Sequence, residues 1–235
     1  MTAAAMVGFG ALFAARLGVE SLSATEKAAF NPTAYSLSGF FFAQLAVGVF
    51  GVLAMTGEYS TGSIRTTLIA TPQRRSILGA KAIVAGAATM VVGTVSSFLA
   101  FFVGQAILTS KGLEAHLGDP GAARSVIGAA LYLTVLVLIS LGLGTLLRSA
   151  AGAIATVVAL VFVLPGLANA LPTAWQNAIV PYFSSYAGEA IIGPTRFAPS
   201  GPHLLAPGPG FAVACAYAAV ALTGAALTLS RRDTR

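Results

Sequence analysis

Between Glu58 and Lys81 the chain reads E-Y-S-T-G-S-I-R-T-T-L-I-A-T-P-Q-R-R-S-I-L-G-A-K, a polar interval set between two strongly apolar runs. It carries four of the thirteen basic residues and one acid. The chemistry these residues offer is recognition. A helix beginning near Ser63 places Ile64 and Leu68 four apart on one face, with Arg65 and Ile69 on the adjacent stripe. An apolar ridge flanked by a cation suits docking into a protein groove. Gly62 stands just before it, where the backbone turns. Pro72 disfavours helix at Thr71, so this short helix stops by Ala70. Thr71 then suits an N-cap, with Pro72 opening the next helix. That helix starts with Arg74, Arg75 and Lys81. Cations in a first turn oppose the helix dipole, so topology and surface contact explain them better than helix stability.

Bond-making constellations are missing from the sequence. It has no G-x-x-x-x-G-K-[ST] phosphate loop, no H-E-x-x-H and no G-x-S-x-G. Ser96 and Ser97 sit in an apolar run with no histidine in any run, which reads as serines packing between helices. Gln44 is the one strongly polar side chain of its run. It either bonds a neighbouring helix or contacts a substrate, and Gln44, Ser96 and Ser97 are the candidates for lining a pathway. His116 and His203 lie in loops and form no metal cluster. The single cysteine, Cys215, permits no intrachain disulfide.

The elements that must position these residues are membrane helices. The chain is 57% hydrophobic and 9% charged, against about 25% charged in soluble domains. Its mean hydropathy is +0.86. Apolar runs long enough to cross a hydrocarbon core recur, and the chain has no room for a separate soluble domain. We expect an all-α membrane protein, one transmembrane domain over residues 1–235, with six spans near residues 2–18, 37–55, 77–109, 125–147, 150–167 and 211–229. The loop at 56–81 carries the short helix, and Arg148-Ser149 makes a tight turn. Residues 168–208 interleave Pro172, Trp175, Tyr182 and Tyr186 with polar side chains. They read as an extracytoplasmic, interfacial helical insert lying on, or dipping into, the outer leaflet.

Charge orients the spans. With both termini in the cytoplasm, eight cations and two acids fall inside, while five cations and five acids fall outside. The whole net charge of +6 then lies on one side, as the positive-inside bias requires. In a membrane protein this basic balance marks the cytoplasmic ends of spans and not a nucleic-acid partner. No apolar run has an Asp, Glu, Lys or Arg at its centre. Coupled secondary transporters and charged-ring channels need such groups, so both classes are disfavoured. What remains is a pore body with a docking element and no energy source of its own.

The Glu58–Lys81 interval resembles the cytoplasmic loop of membrane subunits of type-2 ATP-binding-cassette (ABC) exporters, which reads acid-aromatic-x-x-Gly-[Thr/Ser]-x-Arg, then Leu, Pro, Arg and Lys. The matching residues are Glu58, Tyr59, Gly62, Ser63, Arg65, Leu68, Pro72, Arg75 and Lys81. Residues 146–165, L-L-R-S-A-A-G-A-I-A with V-F-V-L-P, and residues 185–191, S-Y-A-G-E-A-I, are similar to actinobacterial permeases of that family. The resemblance implies a permease subunit in the bacterial plasma membrane, paired as a homodimer or heterodimer and driven by an ABC nucleotide-binding ATPase. ATP and magnesium would sit on that partner, leaving this chain non-catalytic and without a cofactor. It also implies that the loop is a coupling helix, with Glu58, Tyr59, Gly62, Ile64, Arg65, Leu68, Pro72, Arg75 and Lys81 as its contacts. The substrate expected is hydrophobic or amphipathic. A membrane scaffold that recruits a soluble partner without transport is the alternative. Such permeases usually begin with a basic amphipathic helix before the first span, whereas this sequence starts within that span. Either its true start lies upstream or it lacks that element.

Overall fold

The computed structural model describes residues 2–16, 30–61, 74–168, 170–193 and 205–231, all helix, turn or loop. In chain order the helices are α1 (Thr2–Arg16), α2 (Pro32–Ser36), α3 (Phe40–Thr61), α4 (Arg74–Thr109), α5 (Ala122–Leu147), α6 (Ala150–Ala168), α7 (Thr173–Ile179), α8 (Ser184–Glu189) and α9 (Pro207–Arg231). Five of them, α3, α4, α5, α6 and α9, are long and apolar enough to cross a membrane. At 15 residues, α1 rises only about 22 Å, short of a 30 Å hydrocarbon core. The 36 residues of α4 rise about 54 Å and overrun that core.

The bundle is organised around α5, which packs against α3, α4, α6 and α9, while α1 lies against α3 and α4. Small residues set these distances. A Cβ at Gly142 would stand 2.8 Å from the Ala221 carbonyl carbon of α9. One at Gly144 would stand 3.0 Å from the Val52 carbonyl oxygen of α3. Two positions apart on a helix is more than half a turn, so α5 is gripped from opposite sides at one level. The large buried side chains Tyr132, Phe101, Met6, Met55, Leu133 and Leu141 fill the core between these contacts.

Two local departures from the expected spans, and one tie between a loop and a helix, have chemical causes. The polar segment before the second span contains α2, which Asn31 caps by accepting the Ala34 amide at 3.0 Å, with Pro32 in the first turn. The second span therefore begins at Phe40, after a turn at 37–39, and not at Leu37. Within α6, Pro165 has no N–H to return to the preceding turn. Residues Ala159–Val163 widen to π-helix, and the Leu164 amide bonds back to the Ala159 carbonyl. The loop after α4 is tied to α1, because Lys111 Nζ donates to the Ala14 and Ala15 carbonyls at 2.8 Å each. Those are orphan carbonyls of the last helical turn.

The insert is built as a helical pair, α7 and α8, joined by a 3₁₀ turn at Val180–Tyr182. Its first half keeps Trp175 and Tyr182 exposed. Its second half does not lie on a surface: Ser184 to Gly188 are buried against α9 and α5.

Candidate functional site

The apolar helix α3 ends with Glu58 and Tyr59, and α4 runs back from Arg74. Residues 62–73 connect them. Lys81, two turns into α4, reaches across. Its Nζ lies 2.7 Å from Glu58 Oε1 and donates to the Ala54 carbonyl at 2.6 Å. Glu58 and Lys81 keep side-chain exposures of only 28% and 21%, so water weakens this pair less than it would an exposed one. The second oxygen of Glu58 is buried and has no hydrogen-bond partner among the described residues. An unmet charged acceptor in such a place is costly and calls for a donor.

A third strand of chain arrives at the same point. α5 stops at Arg148, whose φ of 53° makes it the one non-glycine residue with a left-handed backbone among those described. Its amide closes on the Gly144 carbonyl at 3.0 Å. Ser149 then starts α6 by accepting the Gly152 amide at 3.3 Å. This is the tight turn expected there. It aims Arg148 back at α3, where the guanidinium carbon lies 5.4 Å from the Tyr59 ring centroid. Cations over an aromatic face are attracted by its quadrupole. The Glu58–Lys81 pair and the Tyr59–Arg148 pair thus join α3, α4 and the α5–α6 turn where α3 ends and α4 begins.

Of the residues singled out for coupling, the structure brings together Glu58, Tyr59 and Lys81. Their contacts are to other spans of the same chain. Arg75 lies in the first turn of α4. Gly62, Ile64, Arg65, Leu68 and Pro72, with the whole expected short helix, lie outside the described residues. Arg148 stands in the sequence only as part of a tight turn, and its contact with Tyr59 is visible only in the structure. The signal available was its pairing with Ser149 at the end of an apolar run, a helix stop followed by a cap.

The pathway candidates are inside this chain's own bundle. Ser96 is fully buried and returns its hydroxyl to the Val92 carbonyl at 2.6 Å. Ser97 is equally buried and donates to Met6 Sδ at 3.8 Å, a contact between α4 and α1. Gln44, 1% exposed, bridges two neighbours: Tyr132 Oη donates to its Oε1 at 3.3 Å, and its Nε2 donates to Glu189 Oε1 at 3.2 Å. The carboxyl of Glu189, counted in the sequence as an acid of an external loop, is half-buried and accepts from one span, through Gln44 of α3. The apolar runs lack a central charge, but the insert supplies one. Its neighbours in S-Y-A-G-E were the available signal, since small residues around a lone acid favour close packing.

A cavity of about 280 Å³ lies between α1, α3 and α4, lined by Thr2, Ala3, Val47, Phe50, Ala88, Thr89, Val92 and Gly93. Its walls are mainly apolar, with Thr2 and Thr89 as the polar side chains. Among the described residues no group of His, Cys, Asp and Glu could hold a metal ion.

No curated protein and no solved structure matches the chain. A family model described as "ABC-2 family transporter protein" matches residues 2–193, which takes in the loop, the Arg148 turn and the insert as far as Gly193. With most of its length matched and five helices among the described residues long and apolar enough to cross a membrane, the chain belongs to the ABC-2 transporter family and is a membrane permease of that type.

Proposed function

We propose that this permease is one half of the translocation body of an ABC exporter, moving a hydrophobic or amphipathic compound outward. A separate nucleotide-binding subunit supplies ATP hydrolysis. The observation that carries this reading is the junction at the end of α3 and the start of α4. Glu58–Lys81 and Tyr59–Arg148 bind the loop's two ends and the α5–α6 turn to one another, so a push on residues 62–73 reaches four helices together. A loop hinged to a single helix would dissipate that push. The unmatched Glu58 oxygen adds a place where a donor from the loop or from the partner can enter.

In this reading the loop end is cytoplasmic, α1 counts as a sixth membrane helix, both termini lie inside and the insert caps the outer side. A second permease completes the body, as a homodimer or heterodimer in a bacterial plasma membrane. Magnesium and ATP bind the partner ATPase.

The decisive experiment purifies the permease with its ATPase. Arg65→Glu and Leu68→Asp should each reduce recovery of the complex or uncouple ATP hydrolysis from substrate by tenfold or more. If both leave complex formation and substrate-stimulated hydrolysis at the wild-type level, the coupling role fails and the scaffold reading takes its place.

A further inference from the structure

The insert does more than cover the bundle. Its last helix, α8, delivers Glu189 to Gln44 of α3, and Gln44 is held in turn by Tyr132 of α5 at the distances given above. Three elements remote in sequence meet in this chain of hydrogen bonds. The surroundings are fitted closely. A Cβ on Gly188 would overlap the Tyr132 ring, and one on Gly210 of α9 would stand 2.7 Å from the Ala187 carbonyl oxygen. The Ser125 hydroxyl donates to the Ile192 carbonyl just past α8. Ser185, one helical turn before Glu189 and on the same face, is 3% exposed, and its hydroxyl has no partner among the described residues. The helix is therefore seated by shape, and its own side chains are bonded to the spans through this one carboxyl.

Among the described residues no ion pair reaches Glu189. The titratable groups on the elements around it are Tyr132 and Arg124 on α5, Tyr186 on α8 itself, Tyr182 in the 3₁₀ turn, and Cys215 and Tyr217 on α9. The half of α3 that carries Gln44 has none, nor does the π segment of α6. The Arg124 guanidinium sits beside Gly193, at the far end of the described insert. A carboxylate half-buried among packed side chains is disfavoured against its neutral acid. Burial pushes Glu189 up from 4.5 to about 7, against the hydrogen bond from Gln44, which pulls it down. The seated insert thus holds a proton that an unseated, hydrated Glu189 would shed. Seating is fully favoured below 4.5 and is lost as pH rises through about 7. With one proton involved, the balance moves by at most about tenfold per pH unit in that window.

We propose that Glu189, Gln44 and Tyr132 form a protonation-dependent latch, in which the neutral carboxyl fastens the insert to α3 and α5 and its ionisation frees the insert. The latch goes beyond the coupling reading and is tested without nucleotide or transport, so the two can fail separately. Full-length permease in membranes, with Cys215→Ala, receives either Ser185→Cys, buried under the seated helix, or Asn177→Cys, exposed on the same insert. Labelling by a membrane-impermeant thiol reagent is followed from about pH 5 to about pH 9, and the ratio of the two rates removes the reagent's own pH dependence. The ratio should be low in acid and climb through about pH 7, at least tenfold overall. Glu189→Gln, which stays neutral, should keep it low throughout. Tyr132→Phe retains the ring beneath Gly188 and deletes one bond, so its climb should come at lower pH. A flat wild-type ratio, a climb that persists in Glu189→Gln, or a Tyr132→Phe curve superimposable on wild type would each overturn the latch.

Discussion

At the residue scale the Glu58–Lys81 pair has unequal halves. Lys81 also donates to the Ala54 carbonyl, whereas Glu58 already has one oxygen unmatched. Lys81→Met should therefore destabilise more than Glu58→Gln, by about 1–2 kcal/mol against a smaller loss, because it leaves both carboxylate oxygens unpaired. Thermal unfolding of the detergent-solubilised permease measures this, and equal losses would contradict the asymmetry. Glycines give a second contrast. A Cβ at Gly79 meets nothing within 4 Å, so Gly79→Ala should be neutral or gain up to about 1 kcal/mol through backbone entropy. Gly188→Ala must displace the Tyr132 ring and should cost about 1–3 kcal/mol. If the two variants melt alike, the fit of insert to span is looser than described.

At the scale of elements, Arg148 ends α5 at a conformation that costs a side-chain-bearing residue about 1 kcal/mol. Its cation–π contact with Tyr59 offsets a similar amount. Arg148→Gly should consequently leave the melting temperature near wild type, whereas Arg148→Ala, which keeps the strain and loses the contact, should lower it. In the assembled transporter both should weaken substrate stimulation of the ATPase, since both cut α3 from the α5–α6 turn. Much of the architecture was legible because long apolar runs have few alternatives in a bilayer. The turn at Arg148-Ser149 was legible for a different reason, a capping serine. α2 was missed because Glu20, Glu26 and Lys27 made the whole segment read as loop, although Asn31-Pro32 carries a helix-start signal. The start of α8 was similarly hidden: S-S-Y-A-G-E is too short for a periodic pattern, and only its neighbours in space reveal that it is buried. Of the candidate site, the acid–lysine bracket could be picked out from order and spacing. Its partner across the bundle, Arg148, lies ninety residues beyond Glu58 in sequence, a separation that no local pattern reports.

For the whole molecule, orientation follows from charge. If the loop end faces the cytoplasm, a cysteine replacing Thr66 should resist an impermeant thiol reagent in intact cells and react once the membrane is opened. Ready labelling in intact cells would reverse the topology. The exposed apolar faces of α4, with Ile83, Val84, Val91 and Phe102, and of α9, with Val220 and Leu227, suit lipid or a second permease.

The grip on α5 at Gly142 and Gly144 has a mechanical corollary. A rod clamped from two sides at one level turns about that level, so its ends swing in opposite senses. The arm from the clamp to Arg148 is about 7 Å, and the arm to Tyr132 is about 16 Å. A nudge of the short arm would return at the long arm reversed and roughly doubled, beneath Gly188.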